Sequence, residues 1–206
     1  MKRWVSQLWL PVLLALVLAG CAAVPEPDET LREERFEERR EQLLALTTWR
    51  AIGRAGINTA DESVSLSMEW RQVGQAYRLD MRAPMGAGSF RLQGDEQAVV
   101  LRTSDGTTDS AGHAGDLLRR YTGLDLPVEV LPWWLRGIPA PRLAVDALEL
   151  DSDGRVERME QAGWTIEYTA YRNSGSVELP ARLFMDGPGI SLRAHIRDWK
   201  MDGEDI

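Results

Sequence analysis

Few residues of this chain have the chemistry of a reactive site. It has one cysteine, Cys21, and two histidines, His113 and His195. Neither histidine begins an H-E-x-x-H pattern, and no nucleophile elbow or phosphate-binding glycine motif is complete. The 32 acidic residues include no pair that spacing singles out for acid–base chemistry. The sequence therefore predicts no enzyme, no bound metal and no separate cofactor.

Two weaker patterns have simpler structural explanations. Residues 151–154 (Asp-Ser-Asp-Gly) resemble the start of a calcium loop, but the later glutamate ligand is missing. We predict a hairpin turn there. His195 falls on the polar side of an alternating strand over residues 190–196, which predicts a solvated side chain.

Cys21 has a specific chemical context. It follows Leu-Ala-Gly at residues 18–20, after an apolar run that starts near Leu8 and a basic start at Lys2 and Arg3. These features are typical of a secretory signal peptide. Leu-Ala-Gly-Cys also resembles the bacterial lipobox, in which the thiol is diacylated, the chain is cut before the cysteine and the new amine is acylated. We therefore predict a signal peptide over residues 1–20 and covalent diacylglycerol and N-acyl chains on Cys21.

Composition limits the partners. The chain has 206 residues, with 24 Lys plus Arg and 32 Asp plus Glu, giving a net charge of −8. Such an acidic balance argues against nucleic acid and against adhesion to anionic lipid by charge alone. With Cys21 acylated, no thiol remains for a disulfide, so the fold depends on its core.

The element pattern predicts one β-rich domain over residues 31–206. Residues 21–30 are predicted to be the acylated cysteine and a tether, and Thr30 with Glu33 fits a capping box at the start of a helix. From Ala51 onward the apolar period is two, with turn signals between the runs. Two short apolar helices, over 114–122 and 127–136, interrupt this meander. We predict ten or eleven antiparallel strands with one apolar face.

A long sheet with one apolar face must curl or be covered, and the two helices are natural candidates for a lid. The sheet then either packs solid or encloses a cavity, and periodicity leaves both alternatives open. Large adaptable side chains on the apolar faces favour a cavity that accepts apolar guests. The candidate lining residues are Leu66, Met68, Trp70, Leu79, Met81, Phe90, Trp134, Leu135 and Trp164.

The loop over residues 83–88 is unusual because it carries a large apolar residue, Met85, between Pro84 and Gly86. Turns favour small or polar residues. Met85 either folds back onto the core or protrudes as an apolar finger towards a membrane or a partner.

Several segments, in this order and after a lipobox, resemble the outer-membrane lipoprotein receptor LolB family. The resemblance covers nearly the whole chain after Cys21. The segments that carry it are residues 49–56, 68–72, 77–79, 83–86, 126–128, 134–139, 161–168 and 196–199.

The resemblance implies an unclosed eleven-stranded antiparallel β-barrel with a helical lid over an apolar cavity. It also implies a monomer that accepts triacylated lipoproteins from the periplasmic carrier LolA and inserts them into the inner leaflet of the outer membrane. Pro84, Met85 and Gly86 would form the membrane-insertion loop, with Met85 where the family usually has leucine. The alternatives are a lipid or glycolipid carrier of the same fold and a scaffolding lipoprotein with a solid core.

Overall fold

The computed structural model describes residues 29–201. The predicted signal peptide, Cys21 and most of the predicted tether lie outside the described residues. The first helix, α1, spans Glu29–Leu44 and buries Phe36 and Leu43. Because Glu29 is already helical, Thr30 lies inside the helix, and the predicted capping box at Thr30 is wrong.

Eleven strands form a single antiparallel sheet whose order is β6-β5-β4-β3-β2-β1-β11-β10-β9-β8-β7. Nearly every neighbour in space is also a neighbour in sequence. The exception is β1 beside β11, which joins the two halves. The first half contains β1 (Thr48–Thr59), β2 (Ser63–Val73), β3 (Ala76–Arg82), β4 (Ser89–Gly94), β5 (Val99–Thr103) and β6 (Thr108–Ala111). The second half contains β7 (Val145–Leu150), β8 (Val156–Gln161), β9 (Trp164–Ser174), β10 (Val177–Gly187) and β11 (Ile190–Met201).

The sheet is an unclosed barrel, since β6 and β7 stand at its two ends. Two short helices follow β6, α2 (Ala114–Thr122) and α3 (Leu131–Arg136). Both end at a glycine in the left-handed conformation, Gly123 with φ 72° and Gly137 with φ 80°. A glycine there avoids the steric cost that a Cβ would bring. The single unclosed antiparallel sheet of eleven strands, with two short helices after β6, confirms the predicted fold class.

Two element boundaries differ from the prediction. Helix α3 begins at Leu131 instead of 127, because residues 127–130 form a turn in which Val130 donates its N–H to the Pro127 carbonyl at 3.1 Å. Pro132 then lies in the first turn of the helix, where its missing N–H costs nothing. Strand β10 starts at Val177, whereas the apolar alternation predicts a strand over residues 181–186.

The junction between β1 and β11 contains a bulge between Ile52 and Gly53. At Gly53 the backbone of β11 comes so close that a Cβ would lie 2.1 Å from the His195 carbonyl oxygen. At Gly56, three residues further along β1, a Cβ would have its nearest neighbour at 3.9 Å, in the Arg193 side chain. The closure of the two half-sheets therefore requires a glycine at position 53 only.

We expect Gly53→Ala to lower the free energy of unfolding by about 3 kcal/mol, because backbone atoms must move to admit the methyl group. Gly56→Ala is the matched control and should change stability little. Urea denaturation of both variants measures the difference, and equal midpoints would contradict this account of the junction.

Candidate functional site

The inner face of the sheet and the two short helices enclose an apolar cavity of about 70 Å³. Strands β1 to β4, β10 and β11 form its wall, and α2, α3 and the segment between them form its roof. Apart from Arg193, all its lining residues are apolar: Ala55, Ile57, Met68, Trp70, Leu79, Met81, Phe90, Leu118, Leu126, Val128, Leu131, Leu135, Met185, Leu192 and Ala194. The interior is suited to hydrocarbon.

Six of the nine predicted lining residues border this cavity: Met68, Trp70, Leu79, Met81, Phe90 and Leu135. The other three, Leu66, Trp134 and Trp164, are buried but lie outside the lining. Sequence reasoning missed small residues such as Ala55 and Ala194, and also Met185 from the far half of the sheet. Their inward-facing positions in alternating strands were the available signal. The two alanines lack the large side chains on which the prediction rested, whereas Met185 lies in a strand far along the chain from the predicted set.

Trp134 anchors the lid instead of lining the cavity. Its ring Nε1 donates to the Gln161 Oε1 at 2.9 Å, and its carbonyl accepts the Tyr168 hydroxyl at 2.8 Å. Gln161 is completely buried, and its amide also exchanges hydrogen bonds with the backbone of Ala140. Burial raises the pKa of Tyr168, so the hydroxyl stays protonated and able to donate. These bonds fix α3 to β8 and β9.

A second anchor joins the lid to α1. The buried Arg136 donates from Nη1 to the carbonyls of Leu43 at 2.6 Å and Leu46 at 3.0 Å, and from Nε to the Pro132 carbonyl at 2.9 Å. Its guanidinium also lies 5.9 Å from the centre of the Trp49 ring. Burial lowers the pKa of Arg136 to about 10, so it remains charged at neutral pH. This arginine was not predicted, because its neighbours in the fold are distant in sequence.

An aromatic cluster lies beneath this second anchor. The ring centres of Trp49 and Trp70 are 6.2 Å apart, those of Trp49 and Trp199 are 5.4 Å apart, and those of Trp70 and Tyr77 are 5.2 Å apart. Arg136, Trp49 and Tyr77 also line a groove of about 230 Å³ between α1 and α3. The lid is thus held rigidly at its C-terminal end.

Met85 is fully exposed, and the structure decides between the two alternatives left open by the sequence. It sits in a short 3₁₀ turn, Pro84–Gly86, with φ 53° and ψ 25°, a left-handed conformation that is uncommon for a residue with a Cβ. The loop is closed at its base, where Ala83 donates its N–H to the Gly88 carbonyl at 2.8 Å. Met85 therefore protrudes.

The remaining chemical candidates have structural roles. Residues 151–154 form the predicted turn, in which the Asp151 carboxylate accepts the N–H groups of Asp153 and Arg155 at 2.9 Å each. The side chain of His195 is exposed, as predicted. Within residues 29–201, no three His, Cys, Asp or Glu side chains are grouped so as to hold a metal ion. Over the same residues, no helix is long and apolar enough to cross a membrane.

Comparison with known proteins identifies the family. The family model described as outer membrane lipoprotein LolB matches residues 47–199. The chain belongs to the LolB family. Proteins named outer-membrane lipoprotein LolB are 44% identical to it in Alkalilimnicola ehrlichii, over 95% of this chain and 98% of the relative, and 38% identical in Halorhodospira halophila, over 96% of each.

Solved structures with the same fold are much more distant in sequence. A LolA superfamily protein of Nitrosomonas europaea has a TM-score of 0.55 and 12% identity, covering 87% of this chain and 94% of its own. A putative outer membrane lipoprotein-sorting protein domain of Vibrio parahaemolyticus has a TM-score of 0.54 and 11% identity, covering 83% and 92%. In this LolB-family chain the lidded, unclosed sheet is thus a fold shared beyond close relatives.

We expect Arg136→Met to lower the free energy of unfolding by about 3 kcal/mol, since three carbonyls lose their donor at a buried junction. The control is Arg119→Met on α2, where the arginine is exposed and pairs with Asp116 and Asp125, and we expect little change. Urea denaturation tests both, and a similar small effect for the two variants would show that Arg136 does not hold the lid.

Proposed function

We propose that this chain is an outer-membrane lipoprotein receptor that takes triacylated lipoproteins from the periplasmic carrier LolA. It then inserts them into the inner leaflet of the outer membrane. The observation that carries the proposal is the apolar cavity under a lid in a chain of the LolB family. The protein acts as a monomer in lipoprotein trafficking and catalyses no covalent reaction.

The energetics of the cargo explain why a cavity is needed. Each buried methylene contributes about 0.8 kcal/mol, so three acyl chains of about fifteen methylenes represent about 36 kcal/mol against exposure to water. Transfer from one apolar cavity to another avoids this cost. It requires only a small difference in affinity and no nucleotide.

The cavity as described is too small for such a cargo. Its volume of about 70 Å³ is far below the roughly 300 Å³ at which pockets for drug-sized ligands begin. Binding an acyl chain therefore requires the roof to move or the lining side chains to rearrange. Met68, Met81 and Met185 suit the second route, because methionine is unbranched and adapts its shape easily.

The protruding loop supports the insertion step. Met85 stands clear of the protein at the tip of Pro84–Gly86, and the closed base of the loop holds it there. An exposed apolar side chain on a fixed turn can enter the leaflet where cargo is released. We propose that Pro84, Met85 and Gly86 form this membrane-insertion loop.

The attachment to the membrane is proposed from the lipobox alone. Cys21 would carry diacylglycerol and an N-acyl chain, and two or more acyl chains give stable anchoring. The segment between Cys21 and α1 would keep the domain close to the leaflet. Ala22 follows the cysteine, whereas aspartate there would resemble a signal for retention in the inner membrane.

Transfer in vitro tests the receptor function. A form that begins after Cys21 retains every residue of the described fold, and we expect it to remove a radiolabelled triacylated lipoprotein from loaded LolA. The label is followed by separating the two proteins. Retention of the label on LolA, with binding of free phospholipid instead, would indicate a lipid or glycolipid carrier and contradict the proposal.

The loop has its own test. We expect Met85→Glu to accept cargo from LolA normally but to lose insertion into vesicles at least tenfold, because a carboxylate resists entry into hydrocarbon. Met85→Leu is the matched control and should insert cargo like the unaltered protein. Since Met85 is fully exposed, neither variant should change stability. Normal insertion by Met85→Glu would remove the loop from the mechanism.

A further inference from the structure

The charges of this acidic protein are unevenly distributed over the sheet. Strands β1 to β5 contain seven arginines and only two acids, although the whole chain has a net charge of −8. Strands β7 to β9 show the reverse, with five acids and two arginines. The arginines of the first half are Arg50, Arg54, Arg71, Arg78, Arg82, Arg91 and Arg102, and they alternate with the apolar side chains of the inner face.

The two acids of this half are already satisfied. Glu69 pairs with Arg50 at 3.0 Å, and Asp80 pairs with Arg78 at 2.6 Å and with Arg91 at 2.7 Å. Burial acts to raise the pKa of Asp80, but its hydrogen bonds to the two arginines, together with their charges, outweigh burial and hold the pKa below its usual value. The carboxylate therefore stays ionised and bound to them.

Two arginines next to this cluster are left without an acidic partner. Within residues 29–201, neither Arg82 nor Arg102 makes an ion pair, and both are exposed. Arg102 lies directly opposite Arg91 in the β4–β5 ladder. Like charges directly opposite one another destabilise a sheet. An anion placed between them would relieve this repulsion.

These arginines share a groove of suitable size. It has a volume of about 190 Å³ on the outer face of β3 to β5, and we call it the arginine groove. It is lined by Asp80, Arg82, Ser89, Phe90, Arg91, Arg102 and Thr103. With Asp80 neutralised by its two pairs, the groove offers guanidinium and hydroxyl donors. This donor set matches a phosphate, which arginine binds through two parallel hydrogen bonds.

The arginine groove adjoins the protruding loop. Arg82 immediately precedes that loop, and Ser89 immediately follows it. The Ser89 N–H donates to the Ser104 hydroxyl at 3.1 Å, and the Ser104 N–H donates to the Ser89 carbonyl at 2.9 Å. These bonds tie the loop to the turn that follows β5. Arg102 lies near the end of that strand. The groove and Met85 therefore belong to one rigid corner of the molecule.

We propose that the arginine groove binds the phosphate of an anionic phospholipid headgroup while Met85 enters the acyl region beside it. This deepens the proposed function, on which it rests, by naming the lipid that orients the insertion loop. A protein held at the surface by its acyl chains needs only a weak second contact, because its local concentration is already high. Anionic headgroups then select the orientation in which Met85 faces the leaflet.

The test measures loop insertion in the acylated mature protein. A nitrobenzoxadiazole group is attached to the cysteine of Ala87→Cys, an exposed loop position. Its emission is compared in vesicles of phosphatidylethanolamine with phosphatidylglycerol and in vesicles where phosphatidylcholine replaces phosphatidylglycerol. We expect insertion in the anionic vesicles only, lost near 1 M salt, where the screening length falls to about 3 Å.

The decisive variant is Arg82→Gln with Arg102→Gln. Each arginine near an anionic leaflet contributes about a fivefold factor, so the ratio of inserted to withdrawn loop should fall roughly twenty-five-fold. The matched control is Arg40→Gln with Arg197→Gln, which makes the same change in charge on α1 and far along β11. The control should insert normally. Equal insertion by the two double variants would overturn the proposal.

Two further outcomes separate the alternatives. If the Arg82, Arg102 variant takes less cargo from LolA in solution without vesicles, and its loop still inserts, the groove serves a protein partner and the lipid assignment is wrong. If the unaltered protein takes no cargo from LolA but its loop still inserts in an arginine-dependent way, the receptor function fails and the arginine groove remains a lipid site. The two proposals therefore fail separately.

Discussion

The sheet does not close, because its end strands β6 and β7 do not pair with each other. Its apolar inner face is therefore open to water unless helices cover it. The lid provides this cover through apolar contacts over the cavity and polar contacts around its edge. Arg136 reaches the carbonyls of Leu43 and Leu46, and Trp134 is held by Gln161 and Tyr168. These hydrogen bonds therefore lie outside the cavity. Inside it, a hydrocarbon guest could not supply partners for polar groups.

The same division between edge and interior suits transient binding of an acyl chain. The lining has three methionines and two alanines, so it changes shape at little cost. The edge is held by the buried guanidinium of Arg136 beside Trp49 and by stacked aromatic rings, of which Trp70 also borders the cavity. The proposed function requires both features, because strong specific contacts in the cavity would hold the cargo too tightly for release.

The outer face of the sheet shows why net charge is a poor guide to surface contacts. A net charge of −8 argues against adhesion to anionic lipid, and for the molecule as a whole that argument holds. The sheet nevertheless places Arg82, Arg91 and Arg102 in one groove beside Met85, while the acids collect in α1 and strands β7 to β9. Composition gives only the total charge. The order of the strands in the sheet brings these arginines together and makes this part of the surface positive.

The sequence by itself determined the local features: the period-two strands, most turns and the exposed outer position of His195. These depend on residues close in the chain, as does the family pattern. Tertiary structure alone decided that Trp134 anchors the lid while Ala55 and Met185 line the cavity. It also decided that Arg136 is buried and that Met85 protrudes. Alternation shows which face a side chain occupies, but the neighbours it meets there come from strands and helices far along the chain.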